Sequence, residues 1–224
     1  MKVYVLLHGS TEFDEKGLII GKNDPELSET GKDEARRAVT QLTEKGIDMI
    51  LSAPQKYTMG TAEIVAEGIG FDASKVTKGV KLFERYFGDL DGAPKAEVDM
   101  FFQTSWLSNA DTPNGETIKE VGNRIISYMN NMVKIFRTKT MLLVVPEQVA
   151  VILYWFFNGL PDAGSEHILG TENGKVYVYD TDTIPDSIKN YDPNATEQTE
   201  AEEDPHKLLS QAEIDALIAN LVAG

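Results

Sequence analysis

Val3-Tyr4-Val5-Leu6-Leu7-His8-Gly9-Ser10-Thr11, followed by Gly21-x-x-Asp24-x-x-Leu27-Ser28-x-x-Gly31-x-x-x-Ala35, is the stretch on which the fold turns. Val3 to Leu7 is an unbroken apolar, β-favouring run, the pattern of a strand buried on both faces. A polar loop carrying His8 comes next, and a helical pattern runs from Ser28 to Lys45. The alternation then repeats, with Asp48 to Ser52 as a strand, Tyr57 to Gly68 as a helix, and Glu116 to Lys139 as a long helix. That long helix carries Ile118, Val121, Ile125, Met129 and Met132 on one face. Met141 to Val145 reads as a buried strand, Gln148 to Phe157 as a helix whose Tyr154, Trp155, Phe156 and Phe157 belong to the core, and Lys175 to Tyr179 as a late strand. Strands alternating with helices predict an α/β fold with a mostly parallel central sheet flanked by helices on both faces. Such a sheet places ligands at the C-terminal ends of its strands, so the His8 loop is the first candidate site.

The chain has 224 residues, 42% hydrophobic and 25% charged, enough for one domain with an appendage. From about Thr183 the periodicity stops and Pro185, Pro193 and Pro205 interrupt a polar, acidic stretch. The expected organisation is therefore a domain over residues 1–182, an acidic flexible linker over 183–207 and a short amphipathic helix over 208–224. The absence of cysteine excludes disulfides, thiolate metal sites and a cysteine nucleophile, and neither a metal nor a cofactor is expected. A net charge of −15 argues against nucleic acid and anionic membrane surfaces. Much of that charge lies in Glu197, Glu200, Glu202, Glu203 and Asp204, so it says little about the His8 loop. Five apolar residues at Val3 to Leu7 are too few for a signal-peptide core, and Val149 to Phe157 is too short to span a bilayer. A cytoplasmic protein without membrane insertion is expected.

The opening stretch resembles the signature of the histidine phosphatase (phosphoglycerate mutase-like) superfamily. The resemblance continues through Ser52-Ala53-Pro54, Thr61-Ala62, Leu82-x-Glu84-x-x-x-Gly88-x-x-x-Gly92 and Gly115-Glu116, and covers roughly residues 2–180. In that family a histidine after the first strand attacks a phosphoryl group, two arginines and a second histidine hold its oxygens, and an acid protonates the leaving group. Fixed positive charge around an in-line nucleophile is what such a transition state needs. The resemblance puts His8 at the nucleophile and Glu84 at the proton donor. It puts Leu7 and Tyr57 where the family has arginine, Glu147 where it has the second histidine, and Leu18 where many members have a further arginine. Lys56, beside Tyr57, is the nearest cation able to compensate by reaching into the pocket. Read without the family, His8 fits a structural histidine, Glu84 a surface carboxylate, Tyr57 a packing residue and Glu147 the start of a helix.

Near the C-terminus, Leu209-Ser210-Gln211-Ala212-Glu213-Ile214-Asp215-Ala216-Leu217-Ile218 combines a capping box, Ser210 with Glu213, and a hydrophobic staple, Leu209 with Ile214. Ile214, Leu217, Ile218 and Leu221 recur on one helical face. This segment looks like the N-terminal peptide of the flagellar motor-switch proteins FliM and FliY, which in those families captures the phosphorylated response regulator CheY. The resemblance implies a CheY-like partner for Leu209, Ser210, Gln211, Ala212, Glu213, Ile214, Leu217 and Ile218, bound as a helix in a groove. From amphipathicity alone, the same helix would fold back on the domain or mediate self-association. Three functions are thus open: a catalytically impaired regulator or adaptor in flagellar motility, an active phosphatase using His8 and Glu84, and a structural module with an oligomerising helix.

Overall fold

β1, Lys2–Leu7, lies inside the sheet, and both of its faces are covered. In the computed structural model, which describes residues 1–108, 110, 112–161 and 171–193, β1 is followed by the short α1, Glu12–Glu15, and by α2, Glu29–Leu42. The chain continues through β2, Met49–Ser52; α3, Lys56–Gly68; β3, Thr77–Lys78; and α4, Met100–Thr104. It then forms α5, Ile118–Ile135; β4, Met141–Val145; α6, Glu147–Asn158; β5, Val176–Asp180; and α7, Asp186–Lys189. The five-stranded sheet has the order β3-β2-β4-β1-β5. β1 runs parallel to β4, with Val3 opposite Met141 and Leu7 opposite Val145. β2 is parallel to both its neighbours, and β5 pairs with β1 antiparallel at the edge.

The period of two along each strand divides the core into two layers. Val3, Val5 and Leu7 of β1, with Met141, Leu143 and Val145 of β4, pack with residues of α5 and α6. Leu6, Leu142, Val144 and Ile50 point the other way, against Ala35, Ala38 and Leu42 of α2 and Ala62, Val65 and Ala66 of α3. This is the expected mostly parallel α/β sheet with helices on both faces. No helix among the described residues is long and apolar enough to cross a membrane.

The structure differs from the sequence reading at particular boundaries. Ser28 is the N-cap of α2, its hydroxyl accepting from Gly31 N, and lies outside the helix itself. Thr117 and Glu120 form a capping box that starts α5 at Ile118, two residues after Glu116, and the helix ends at Ile135, short of Lys139. The folded unit extends beyond residue 182. Ile184 and Ile188 are 3% and 0% exposed, Tyr191 Oη donates to Asn123 Oδ1 at 2.5 Å, and the compact unit runs Met1–Tyr191. Pro185, read as a breaker, stands at the N-cap of α7, a position where lacking an N–H costs nothing. The C-terminal recognition segment lies outside the described residues.

Candidate functional site

The site forms where β1 and β4 end side by side. His8 N donates to Val145 O at 3.1 Å, which ties the histidine loop to the strand that leads into Glu147. The imidazole is 1% exposed, and its Nδ1 lies 2.7 Å from Gly9 O. With the proton on Nδ1 donated to that carbonyl, Nε2 keeps its lone pair. Burial pushes the imidazole below its ordinary range, so it is neutral at physiological pH. Tyr57 presents a ring to His8 edge-on at 4.6 Å. The loop is held close to α2: a Cβ on Gly9 would collide with the Gly31 carbonyl, and one on Gly31 with Ser10 O.

This packing commits the loop's backbone donors. Gly9 N donates to Thr61 Oγ1 at 3.0 Å, Ser10 N to Glu34 Oε2 at 2.7 Å, and Thr11 N to Asp14 Oδ2 at 2.8 Å. An anion arriving beside His8 would have to displace one of these to gain a backbone N–H.

Glu84 is 4% exposed, and its Oε1 accepts from Arg85 N at 2.8 Å. Burial raises its carboxyl to about 8, well above an ordinary glutamate, so near neutral pH it holds a proton it could deliver. His8 and Glu84 line one small cleft, together with Asp14, Lys95, Glu147 and Gln148. The fold therefore brings those two expected catalytic positions together.

The neighbouring arginines are committed elsewhere. Arg85 is fully buried, donating to Glu116 O, Gln103 O and Thr112 Oγ1, with its guanidinium 4.4 Å from the Phe87 ring centre. Arg124 makes a fork on the Glu116 carboxylate at 2.9 and 3.1 Å and lies over the Phe83 ring. Leu7 is 0% exposed in the layer under α5 and α6, and Tyr57 is 0% exposed with its hydroxyl unpaired among the described residues; neither lines the cleft. Leu18 bridges Pro94 outside it.

Lys56 does not reach the cleft: its side chain is over half exposed, and its ammonium pairs with Glu26 at 3.4 Å. Lys95 reaches the cleft instead. It is the one cationic side chain among the described residues lining the cleft, and its Nζ lies 2.8 Å from Glu147 Oε2. Glu147 opens α6, as its alternative reading had it, and also faces the cleft, where Thr171 Oγ1 donates to its Oε1 at 2.7 Å. Burial pushes the Glu147 carboxyl up, but Lys95 and Thr171 outweigh it and the net shift is downward. For Lys95 burial acts downward and Glu147 more than offsets it.

Sequence reasoning missed Lys95, Gln148 and Thr171. Lys95 stands three residues beyond Gly92 of the quoted signature, which was the available signal. Thr171 comes to Glu147 across a sequence separation of 24, and no local pattern marks it.

A family model for the histidine phosphatase superfamily (branch 1) matches residues 3–191. The chain belongs to that superfamily. Among curated proteins it is 31% identical over 134 residues to a phosphoglycerate mutase of Schizosaccharomyces pombe, covering 56% of this chain and 64% of the relative. It is 32% identical over 149 residues to a 2,3-bisphosphoglycerate-dependent phosphoglycerate mutase of Bartonella tribocorum, covering 62% and 72%. A putative phosphoserine phosphatase 2 of Hydrogenobacter thermophilus is 28% identical over 151 residues, covering 64% and 71%. The chain thus spans under two thirds of the fission-yeast relative's length. A mycobacterial glucosyl-3-phosphoglycerate phosphatase in complex with VO3 superposes with a TM-score of 0.69 at 22% identity, covering 79% of this chain and 91% of that one. That likeness speaks for the superfamily fold.

Proposed function

We propose that this superfamily domain is impaired in phosphoryl transfer and serves as a regulator or adaptor whose C-terminal segment binds a CheY-like response regulator. The observation that carries the impairment is the cleft's charge. Lys95 is its one cation among the described lining residues, and that cation is already paired with Glu147 at 2.8 Å. A phosphoryl group there would find a neutral imidazole, a carboxylate and committed backbone donors where fixed positive charge is required. The adaptor part rests on the sequence of the segment from Leu209 to Ile218. The organisation that goes with it is a folded unit, an acidic tether and a recognition helix over 208–224.

A phosphatase assay on the full chain with p-nitrophenyl phosphate, 3-phosphoglycerate and phosphoserine tests the first part. Turnover near background is expected, and turnover typical of an efficient phosphatase, abolished by His8→Ala, would overturn it. That active reading is favoured by one feature, the neutral His8 beside a protonated Glu84. Titration of a labelled 208–224 peptide against phosphorylated and unphosphorylated response regulator tests the second part. Tighter binding to the phosphorylated form is expected, with Ile214→Asp abolishing it by placing a charge in an apolar contact. No binding to either form sinks the adaptor.

A further inference from the structure

We propose that the cleft holding His8, Glu84 and Gln148 is a receptor for a primary ammonium group. This deepens the impaired reading of the same cleft, on which it rests: a site short of fixed positive charge for an anion offers its acceptors to a cation.

The residue that points to a ligand is Gln148. It is 4% exposed and lines the cleft, and its Oε1 has no hydrogen-bond partner among the described residues. Buried amide oxygens are ordinarily paired, and an unpaired acceptor in a cleft wall calls for a donor. The other open positions in the wall are acceptors too. His8 gives its Nδ1 proton to Gly9 O and keeps the Nε2 lone pair. Among the described residues, Asp14 accepts from Thr11 through Oδ2 alone and Glu84 from Arg85 N through Oε1 alone. A primary ammonium carries three N–H donors and no acceptor, so it matches a wall of acceptors. Charge favours the same ligand, because two carboxylates, Asp14 and Glu147, face a single cation, Lys95, among the described lining residues.

Size and placement narrow the class. The free volume of the cleft, about 20 Å³, admits one water-sized group, which an ammonium head is and a quaternary ammonium is not. No group of three or more His, Cys, Asp or Glu side chains among the described residues is placed to hold a metal ion, so a divalent cation is not the occupant. An arriving ammonium would also draw the Glu84 carboxyl down from about 8, so that binding at neutral pH releases a proton and tightens as pH rises toward 8. The other titratable groups of the wall are Asp14, His8 and Glu147, the last two shifted downward, and Lys95, shifted upward; Glu84 is the one raised toward neutral pH. Outside the wall, Arg124 also acts on Glu84 from its seat on Glu116.

The experiment is calorimetric titration of the full chain with methylammonium, tetramethylammonium and Nα-acetyl-lysine methylamide, as chlorides at constant ionic strength. It is run in buffers of different ionisation enthalpy for wild type, Gln148→Met and Glu84→Gln. Wild type is expected to bind methylammonium or the lysine derivative at least about tenfold more tightly than tetramethylammonium, which has the charge but no N–H donor. The tighter of the first two tells a free amine from a protein side chain. Gln148→Met, which keeps the side chain's length and removes the acceptor, should weaken that binding about tenfold, the order of one hydrogen bond to a charged group. At pH 7 wild type should release most of a proton on binding and Glu84→Gln none. No binding, equal affinity for tetramethylammonium, or an unchanged affinity in Gln148→Met overturns the proposal. Thermal unfolding controls for folding; if Gln148→Met does not fold, proton release decides, and none in wild type counts against the receptor. Turnover of p-nitrophenyl phosphate is measured separately, so an efficient wild type refutes the impaired reading, whereas an idle wild type that binds no ammonium refutes the receptor alone.

Discussion

Replacing Glu84 by glutamine should stabilise the protein, and by an amount that grows with pH. In the folded chain Glu84 is 4% exposed and its carboxyl is raised from 4.5 to about 8, chiefly by burial. Unfolding exposes it to water, where it ionises near its ordinary value. Between those two values the folded state holds a proton that the unfolded state has released, so unfolding free energy falls as pH rises. One unit of separation corresponds to about 1.4 kcal/mol, so from pH 5 to pH 7 wild type loses about 3 kcal/mol through this group. The full window to pH 8 sets an upper limit of about 5 kcal/mol. The amide of the Glu84→Gln variant would keep an oxygen for Arg85 N and carries no proton to lose, so the variant escapes this penalty. His8, shifted downward, contributes stability above its ordinary value that is lost on acidification. That term is common to both proteins and cancels in their difference. Urea unfolding followed by the fluorescence of Trp106 and Trp155, both buried, measures it. A difference between variant and wild type that is the same at pH 5 and pH 7 within about 0.5 kcal/mol would refute the buried, protonated Glu84.

Tyr57→Phe removes a fully buried hydroxyl that has no partner among the described residues, so it should stabilise by about 1 kcal/mol, read as a higher urea midpoint; a loss of that size would mean the hydroxyl is paired. Leu7→Arg places a guanidinium in the layer under α5 and α6 and should cost about 3 kcal/mol or more, read as a fall in Tm; an unchanged Tm would mean the position opens to the cleft. Gly9→Ala drives a methyl into the Gly31 carbonyl and should cost a similar ~3 kcal/mol by the same measurement, whereas tolerance would show that the loop and α2 can part.

The central strands were legible because burial on both faces leaves an unbroken apolar run, and β4 was read to the residue at Met141–Val145. The position of the cleft followed from the same fact, since a parallel sheet delivers His8 and Glu147 to one edge. The direction of β5 was not legible, because an antiparallel edge strand and a parallel one share the same local pattern. That Ile184 and Ile188 pack with the folded unit was not legible, because Pro185 reads as a breaker and two buried positions are too short a period to stand out. Within the site, residue types were readable and commitments were not. Lys56 and Lys95 look alike in sequence, and only the fold sends one to Glu26 and the other to Glu147.

That last distinction governs what the cleft can do. His8 and Glu84 are each in the protonation state a phosphoryl transfer would use, a neutral base and a protonated acid, so the chemistry-bearing groups are not what the site lacks. Glu84 is moreover a poor choice for stability alone, since a buried carboxyl supported by one backbone N–H costs more as pH rises than an amide would. A residue that lowers stability and faces a cleft is expected at a binding site and not in packing. Under the proposed impairment, the deficit is one of charge. Two like unit charges about 4 Å apart repel by roughly 4 kcal/mol at an effective dielectric near 20. A phosphate entering beside Glu147 meets that repulsion while the matching attraction of Lys95 is already satisfied internally. On the proposed reading, the Lys95–Glu147 pair sets the cleft against dianions, and a single charge-neutralising change at Glu147 is the smallest step that would reverse that preference.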